Sequence, residues 1–245
     1  MAMLGIGFGL TTIRYPGIDR RVASLSPTAW YDPSDLSTLW QDTGKTTAVT
    51  AADDPVRVVE DISGNGNDLV APSDAARPLY KTAGGLRWLE FDGTDDAMAD
   101  AFTLVRPWER ITALRVLTYV NSTAMLDGYT LSGGRLRMIA PDPGLNFFAG
   151  SSLDFTDEVA TGNDFVATMR GDGSSSRVAI DGNAYATGNA GTNDPDGVSV
   201  GARGGLTALF SNMRYYGDFI KSGTMSDADI ATVRTWAAGK AGVSL

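Results

Sequence analysis

From Ser26 onward the chain alternates short apolar runs with clusters of turn residues. "VRVVED" (Val56 to Asp61) is a brief strand that ends in the Gly/Asn/Asp knot "DISGNGNDL". "LRWLEF" (Leu86 to Phe91) has period-2 alternation, with Leu86, Trp88 and Glu90 on one face and Arg87, Leu89 and Phe91 on the other. "RITALRVLTYV" (110–120) predicts a longer strand of mixed polarity. "RLRMIA" (135–140), "LNFFAG" (145–150), "DFVATMRG" (164–171), "SRVAIDG" (176–182), "VSVGA" (198–202) and "LFSNMRYYGDFI" (209–220) continue the series. Many short strands with no helical periods between them predict a sandwich rather than an α/β sheet. One segment has a helical period, "MSDADIATVRTWAAGKAG" from Met225. Ser226 and Asp229 form a capping box, Ile230, Val233 and Trp236 or Ala237 make its apolar stripe, and Gly239 or Gly242 ends it.

Residues 1–25 differ from the rest of the chain. "MLGIGFGL" alternates glycine with Leu4, Ile6, Phe8 and Leu10, and Tyr15 precedes a Pro-Gly break. A Gly-rich apolar strip cannot bury itself alone. Two readings stand side by side: a strand packed on its own domain, or an arm (1–25) that docks onto a neighbouring subunit or scaffold, followed by one domain (26–245).

Composition narrows the chemistry. The 245 residues carry a net charge of -9, which disfavours binding to nucleic-acid backbones and to anionic membranes. No stretch reaches the ~20 apolar residues of a membrane span, and the N-terminus lacks the features of a signal peptide. There is no Cys and no His, so disulfides, thiolate chemistry, zinc sites built on these residues and imidazole-dependent triads are excluded. The 29 glycines fit a turn-rich chain.

In order, "AWYDPSDLSTLWQD" (29–42), "DISGNGNDLVAPSDAARPLY" (61–80), "LRWLEFDGTDDAM" (86–98), "FVATMRGDGSSSRVAIDGNAYAT" (165–187) and the last strand with its helix resemble the concanavalin A-like lectin/glucanase superfamily. The resemblance is to its laminin-G-like modules found in bacteriophage virion proteins, and covers roughly residues 26–243. It implies an all-β antiparallel jelly-roll β-sandwich with one C-terminal α-helix; the extended N-terminal arm expected at 1–25 lies outside the resemblance. It also implies a non-enzymatic virion component (decoration, head-spike or tail-associated), assembled in the host cytoplasm. Its expected partners are other virion proteins through Leu4, Ile6, Phe8, Leu10 and Tyr15, host cell-surface polysaccharide, and further copies of itself.

Three chemical readings compete with plain turns. "EFDGTD" places Glu90, Asp92 and Asp95 in an E-x-D-x-x-D pattern, and a glycosidase or lyase would use Glu90 and Asp92. Gly93 signals a turn after Asp92, which takes Asp95 off the strand. Asp92, Asp95 and Asp96 offer the oxygen ligands that calcium takes, as does "NAGTNDPDG" (189–197), but neither has the EF-hand spacing. A sugar platform needs an exposed aromatic, for which Tyr129 in "LDGYTLSGG", Trp108 and Tyr31 are the candidates. For the knot at 61–69, tight-turn geometry is a sufficient reading, with Asn65, Gly66 and Asn67 in left-handed conformations and Asp61 or Ser63 bonding nearby amides.

Overall fold

The computed structural model describes residues 17–130, 133–139, 144–155, 159 and 161–245. Leu4, Ile6, Phe8, Leu10 and Tyr15, on which the arm expectation rests, lie outside the described residues.

Among the described residues there are 17 strands and two α-helices. The first helix is α1 (Gly17–Ala23), followed by β1 (Ala29–Tyr31), β2 (Leu39–Trp40), β3 (Val58–Val59), β4 (Leu69–Val70) and β5 (Leu79–Ala83). Next come β6 (Leu86–Asp92), β7 (Met98–Asp100), β8 (Trp108–Val116), β9 (Ala124–Asp127), β10 (Arg135–Met138) and β11 (Leu145–Phe148). The chain closes with β12 (Ser152–Phe155), β13 (Asp164–Gly171), β14 (Ser176–Ile180), β15 (Ala186–Gly188), β16 (Val198–Val200), β17 (Asn212–Ser222) and α2 (Asp227–Ala241).

These strands make two antiparallel sheets. One runs β15-β14-β13-β8-β17-β6-β5, with β1 paired to β17; the other runs β12-β11-β10-β9-β16-β7-β4-β3-β2. The sheets face each other across one apolar core that includes Tyr31, Leu89, Phe91, Trp108, Leu114, Phe147, Phe165 and Tyr215. The protein is an all-β sandwich.

The mixed polarity of β8 has a simple cause: both of its faces are buried. Leu114 and Val116 point into the inter-sheet core, while Ile111 and Ala113 face the helices. Arg110 and Thr112 share the inward face by period-2 alternation. There Arg110 meets Asp218 of β17, with Nε 2.8 Å and Nη2 2.5 Å from Oδ2. Thr112 donates to the Gly217 carbonyl at 3.0 Å, beside a register shift between Tyr215 and Gly217. That bulge shifts the alternation by one, so Asp218 and Ile220 join Tyr215 on the inner face while Tyr216 and Phe219 face the helices.

α2 lies on the outer face of the first sheet. Ser226 accepts from the Asp229 amide and Gly242 closes the helix at φ 72. Ile230, Val233, Trp236, Ala237 and Ala241 are buried against Trp30, Ile111, Val166 and Phe219. Trp236 meets Trp30 edge to face at 5.6 Å. Residues 17–25 depart from the extended arm expected for 1–25: α1 packs beside α2, with Val22 fully buried. A helical segment with an apolar side chain beside a larger helix gains burial that an extended strip cannot.

The knot at 61–69 is a staple. Asp61 Oδ1 accepts from the amides of Trp30 and Ser63, both at 2.9 Å, and Oδ2 from the Ser63 hydroxyl and the Asn67 amide. Asn65 and Asn67 both donate to the Thr28 carbonyl; Gly64 and Gly66 take positive φ, whereas the two asparagines, expected to be left-handed, do not. The Gly/Asn/Asp composition therefore binds the start of the domain to the β3–β4 connection.

Candidate functional site

Two of the three aromatic sugar candidates are core residues. Tyr31 is fully buried and donates its hydroxyl to the Asn67 carbonyl at 2.6 Å; burial drives its phenol well above the ordinary value. Trp108 is 1% exposed, stands edge-on to Phe147 at 5.7 Å, and leaves so little room that a Cβ on Gly171 would come within 2.2 Å of it. Neither offers a free ring face. The expectation for Tyr31 and Trp108 is corrected: both sit on inward strand positions, where an aromatic is worth most as core.

Tyr129 is 38% exposed, just beyond β9. Its backbone is held from two sides. Gly205 donates to the Tyr129 carbonyl at 2.7 Å, and the neighbouring Thr130 amide donates to Asp196 at 3.1 Å. Gly197 passes beneath at φ 134, where a Cβ would lie 2.1 Å from the Asp100 carbonyl and 2.9 Å from Tyr129 Cβ. Only glycine lets these segments approach so closely.

The organiser of this region is Asp127, which is fully buried. Its Oδ1 accepts from the Gly128 amide at 2.9 Å, and its Oδ2 from Arg135 Nε at 2.7 Å and the Gly204 amide at 3.1 Å. Burial pushes this carboxyl up, and Arg135 opposes the shift. One carboxylate thus ties the 128–130 segment to the 203–206 turn.

Between these two segments and β4 and β7 lies an open recess of about 330 Å³. Val70 and Ala99, paired across β4 and β7, form its floor, on the face opposite the core residues Leu69 and Met98. Tyr129, Leu206, Arg57 and Asp100 stand around it. Leu206 has φ 53, a left-handed conformation that costs a non-glycine residue energy and that the surrounding turn enforces. Arg57 Nη1 bonds Asp74 at 3.2 Å. Asp100 is pushed up to about 6, first by burial and then by the Asp68 and Asp61 charges, against a hydrogen bond from the Ala101 amide. The volume falls at the small end for ligand pockets, and its mixed lining is of the usual kind.

A second recess, of about 340 Å³, includes Glu90, Asp92, Asp96 and Asn212 in its lining. β6 ends at Asp92 and Gly93 turns at φ 79, so Asp95 is off the strand as the sequence suggested. Asp92 Oδ1 accepts from the Thr94 amide at 2.7 Å. Glu90 Oε2 accepts from Trp88 Nε1 at 3.1 Å and Arg214 Nε at 3.3 Å. Asp96, 7% exposed, accepts from the Asp92 amide at 2.9 Å, and burial lifts its carboxyl to about 7. One oxygen from each of Asp92, Asp95 and Asp96 lies within 4.8 Å of the others. These are donors of the hard type, but only three of the six to eight that calcium takes.

No protein-family model matches the chain, and no curated protein matches its sequence. Solved structures do match. The Trypanosoma rangeli sialidase in complex with sialic acid superimposes with a TM-score of 0.59 at 11% identity, over 89% of this chain. This chain spans about a third of that sialidase, 36% of its length. Domain 4 of AbnA, a GH43 extracellular arabinanase from Geobacillus stearothermophilus, in complex with arabinotriose, gives 0.60 at 12% identity. That match covers 86% of this chain and 98% of the domain. The fold is a lectin-like sandwich. An arabinofuranosidase complexed with arabinofuranosyl-alpha-1,2-xylobiose also matches, at 0.55 and 14% identity over 76% of this chain and 51% of that one.

These likenesses correct the non-enzymatic expectation: the sandwich occurs in chains described as sialidase, arabinanase and arabinofuranosidase. The absence of His removes imidazole triads but not carboxylate chemistry, so it never excluded glycoside cleavage. None of the three structures named above is described as a bacteriophage protein. Of the recess residues, sequence reasoning found Tyr129 and missed Arg57, Asp100 and Leu206. Nothing local in the sequence marks an Arg or Asp as facing a groove.

Proposed function

We propose that this protein is a saccharide-binding sandwich whose recess beside Tyr129 receives a sugar ring. The observation that carries the reading is Tyr129 itself: an exposed aromatic face with its backbone held in place, beside a carboxylate and a guanidinium in one open recess. A sugar ring presents an apolar C–H face to an aromatic and hydroxyls to polar groups, so this combination suits it. Structural neighbours described in complex with sialic acid, arabinotriose or arabinofuranosyl-xylobiose support the ligand class. The bacteriophage setting of the laminin-G-like resemblance remains part of this proposal. There the sandwich would be displayed on a virion, a setting supported by the sequence resemblance alone. It would dock through the N-terminal arm expected at 1–25, which the resemblance does not cover and which only its Gly-rich apolar strip supports.

The test is titration of the full chain with sialic acid, arabinotriose and arabinofuranosyl-xylobiose by calorimetry. At least one is expected to bind, and Tyr129→Ala is expected to weaken it about tenfold or more, since 1.4 kcal/mol is tenfold. Undiminished affinity in the Tyr129→Ala variant would sink the recess as the site.

The second recess favours one further reading, glycoside cleavage. Asp96 retains a proton up to about pH 7 in the space that Glu90 and Asp92 also line. A protonated carboxyl near carboxylates whose environments differ is the pattern of acid-assisted glycosidic cleavage. If so, Glu90→Gln and Asp96→Asn each lower reducing-sugar release from arabinan or a sialoside by at least about 10²-fold. Equal release from both variants and the native chain ends this reading.

A further inference from the structure

The recess beside Tyr129 has a second end, and on the saccharide reading above that end names the class of sugar. Strand order places it. The recess crosses β9, β16, β7, β4 and β3 in turn, with Tyr129 just beyond β9 and Arg57 immediately before β3. Adjacent strands lie ~4.8 Å apart, so about four such spacings separate the two backbones. Val70 and Ala99 form the apolar floor between them. We infer that the recess takes an acidic oligosaccharide, with one ring laid on Tyr129 and a carboxylate of the neighbouring unit docked on Arg57.

Arg57 has donors to spare. Its side chain is only 16% exposed, yet among the described residues its guanidinium makes one hydrogen bond, from Nη1 to Asp74 at 3.2 Å. Nε is buried with no partner. Asp74 is 80% exposed, so this ion pair contributes little. Asp74 also has a second cation, Arg77, at 3.7 Å, and is not stranded when Arg57 engages a ligand. A guanidinium presents a planar fork that matches two carboxylate oxygens, and charge-assisted pairs of this kind are stronger than bonds to neutral hydroxyls.

The neighbouring anions decide where on the ligand the acid lies. Asp100 belongs to β7, between the two ends of the recess. An acidic group over the middle of the floor meets its charge, whereas one at the far end meets the guanidinium. The carboxylates of the knot are answered elsewhere, Asp68 by Lys45 at 2.7 Å and Asp61 by the amides of Trp30, Ser63 and Asn67. Arg57 is the one cation among the lining residues, so a single substitution isolates its role.

Matched pairs differing only in oxidation at C6 test this: galactose against galacturonic acid, and glucose against glucuronic acid, each as one unit of a disaccharide whose other unit stays neutral. Calorimetry on the full chain is expected to show at least one uronate bound about tenfold or more tighter than its neutral partner. Arg57→Gln, with thermal unfolding confirming its fold, should weaken that uronate about tenfold and leave the neutral partner within about twofold. Arg57→Lys keeps the charge without the fork and should fall between. A neutral sugar bound as tightly as its uronate, with Tyr129→Ala still weakening both, overturns this inference and leaves the saccharide reading intact. Equal weakening of both members by Arg57→Gln also overturns it, since the residue then only shapes the recess. Absence of binding to every sugar, with sialic acid, arabinotriose and arabinofuranosyl-xylobiose included, overturns both.

Discussion

Replacing Asp218 by alanine is expected to cost about 3–5 kcal/mol of folding stability, the range for removing one partner of a buried ion pair. Arg110 is 2% exposed and Asp218 fully buried, both inside the sandwich between facing sheets. In Asp218→Ala the guanidinium keeps only a long contact, 3.5 Å, to the Asp127 carbonyl and loses its counter-charge. The native pair is itself not fully satisfied. Asp218 Oδ1 and the Tyr215 hydroxyl have no hydrogen-bond partner among the described residues, and burial pushes both groups upward. The double variant Arg110→Met with Asp218→Leu should therefore recover most of the loss, because an apolar pair of similar volume is often neutral or better. Urea unfolding measures both. A single-variant loss below about 1 kcal/mol, or a double variant as unstable as the single, contradicts the account.

The second large effect is expected at Asp127. Asp127→Ala removes three hydrogen bonds and leaves Arg135, 8% exposed, without its carboxylate. A loss of about 3 kcal/mol follows from the lost ion pair with Arg135 and the two buried amides left without their acceptor. This variant should also weaken saccharide binding without touching the ligand, because the 128–130 and 203–206 segments lose their common anchor. Asp127→Asn keeps one acceptor oxygen and should fall between. Hydrogen exchange at Gly204 and Gly128 reports the positioning role directly. Both amides should exchange at least about tenfold faster in Asp127→Ala, and unchanged protection there means that Asp127 holds neither loop.

Both residues show how far the sequence could be read. The strand at 110–120 was visible as one of mixed polarity, but not where its Arg and Thr point. Their direction depends on which face of β8 meets the second sheet and which meets α2, and α2 comes more than a hundred residues later in the chain. The capping box at Ser226, the apolar stripe through Trp236 and the glycine stop at 242 were all legible, since each relies on neighbours within one or two turns. The knot at 61–69 was legible as a turn, but its bonds to Trp30 and Thr28 were not. The helix at 17–23 was not legible, because Val22 is buried in one cluster with Trp30 and with a helix at the far end of the chain.

The candidate site divides in the same way. Tyr129 stood out because Asp-Gly before it and Gly-Gly after it mark a surface turn. Arg57, Asp100 and Leu206 come from three other segments, joined to it by sheet pairing and by the Asp127 carboxylate. By itself the sequence determined the elements: where the backbone extends, where it reverses and where one helix is capped, all set by side chains a few positions apart. The tertiary structure alone decided which aromatic faces solvent, which charges are sealed between the sheets and which segments meet around a recess. Those outcomes depend on the burial of whole faces, and a face becomes inner or outer only once both sheets and the helix have packed.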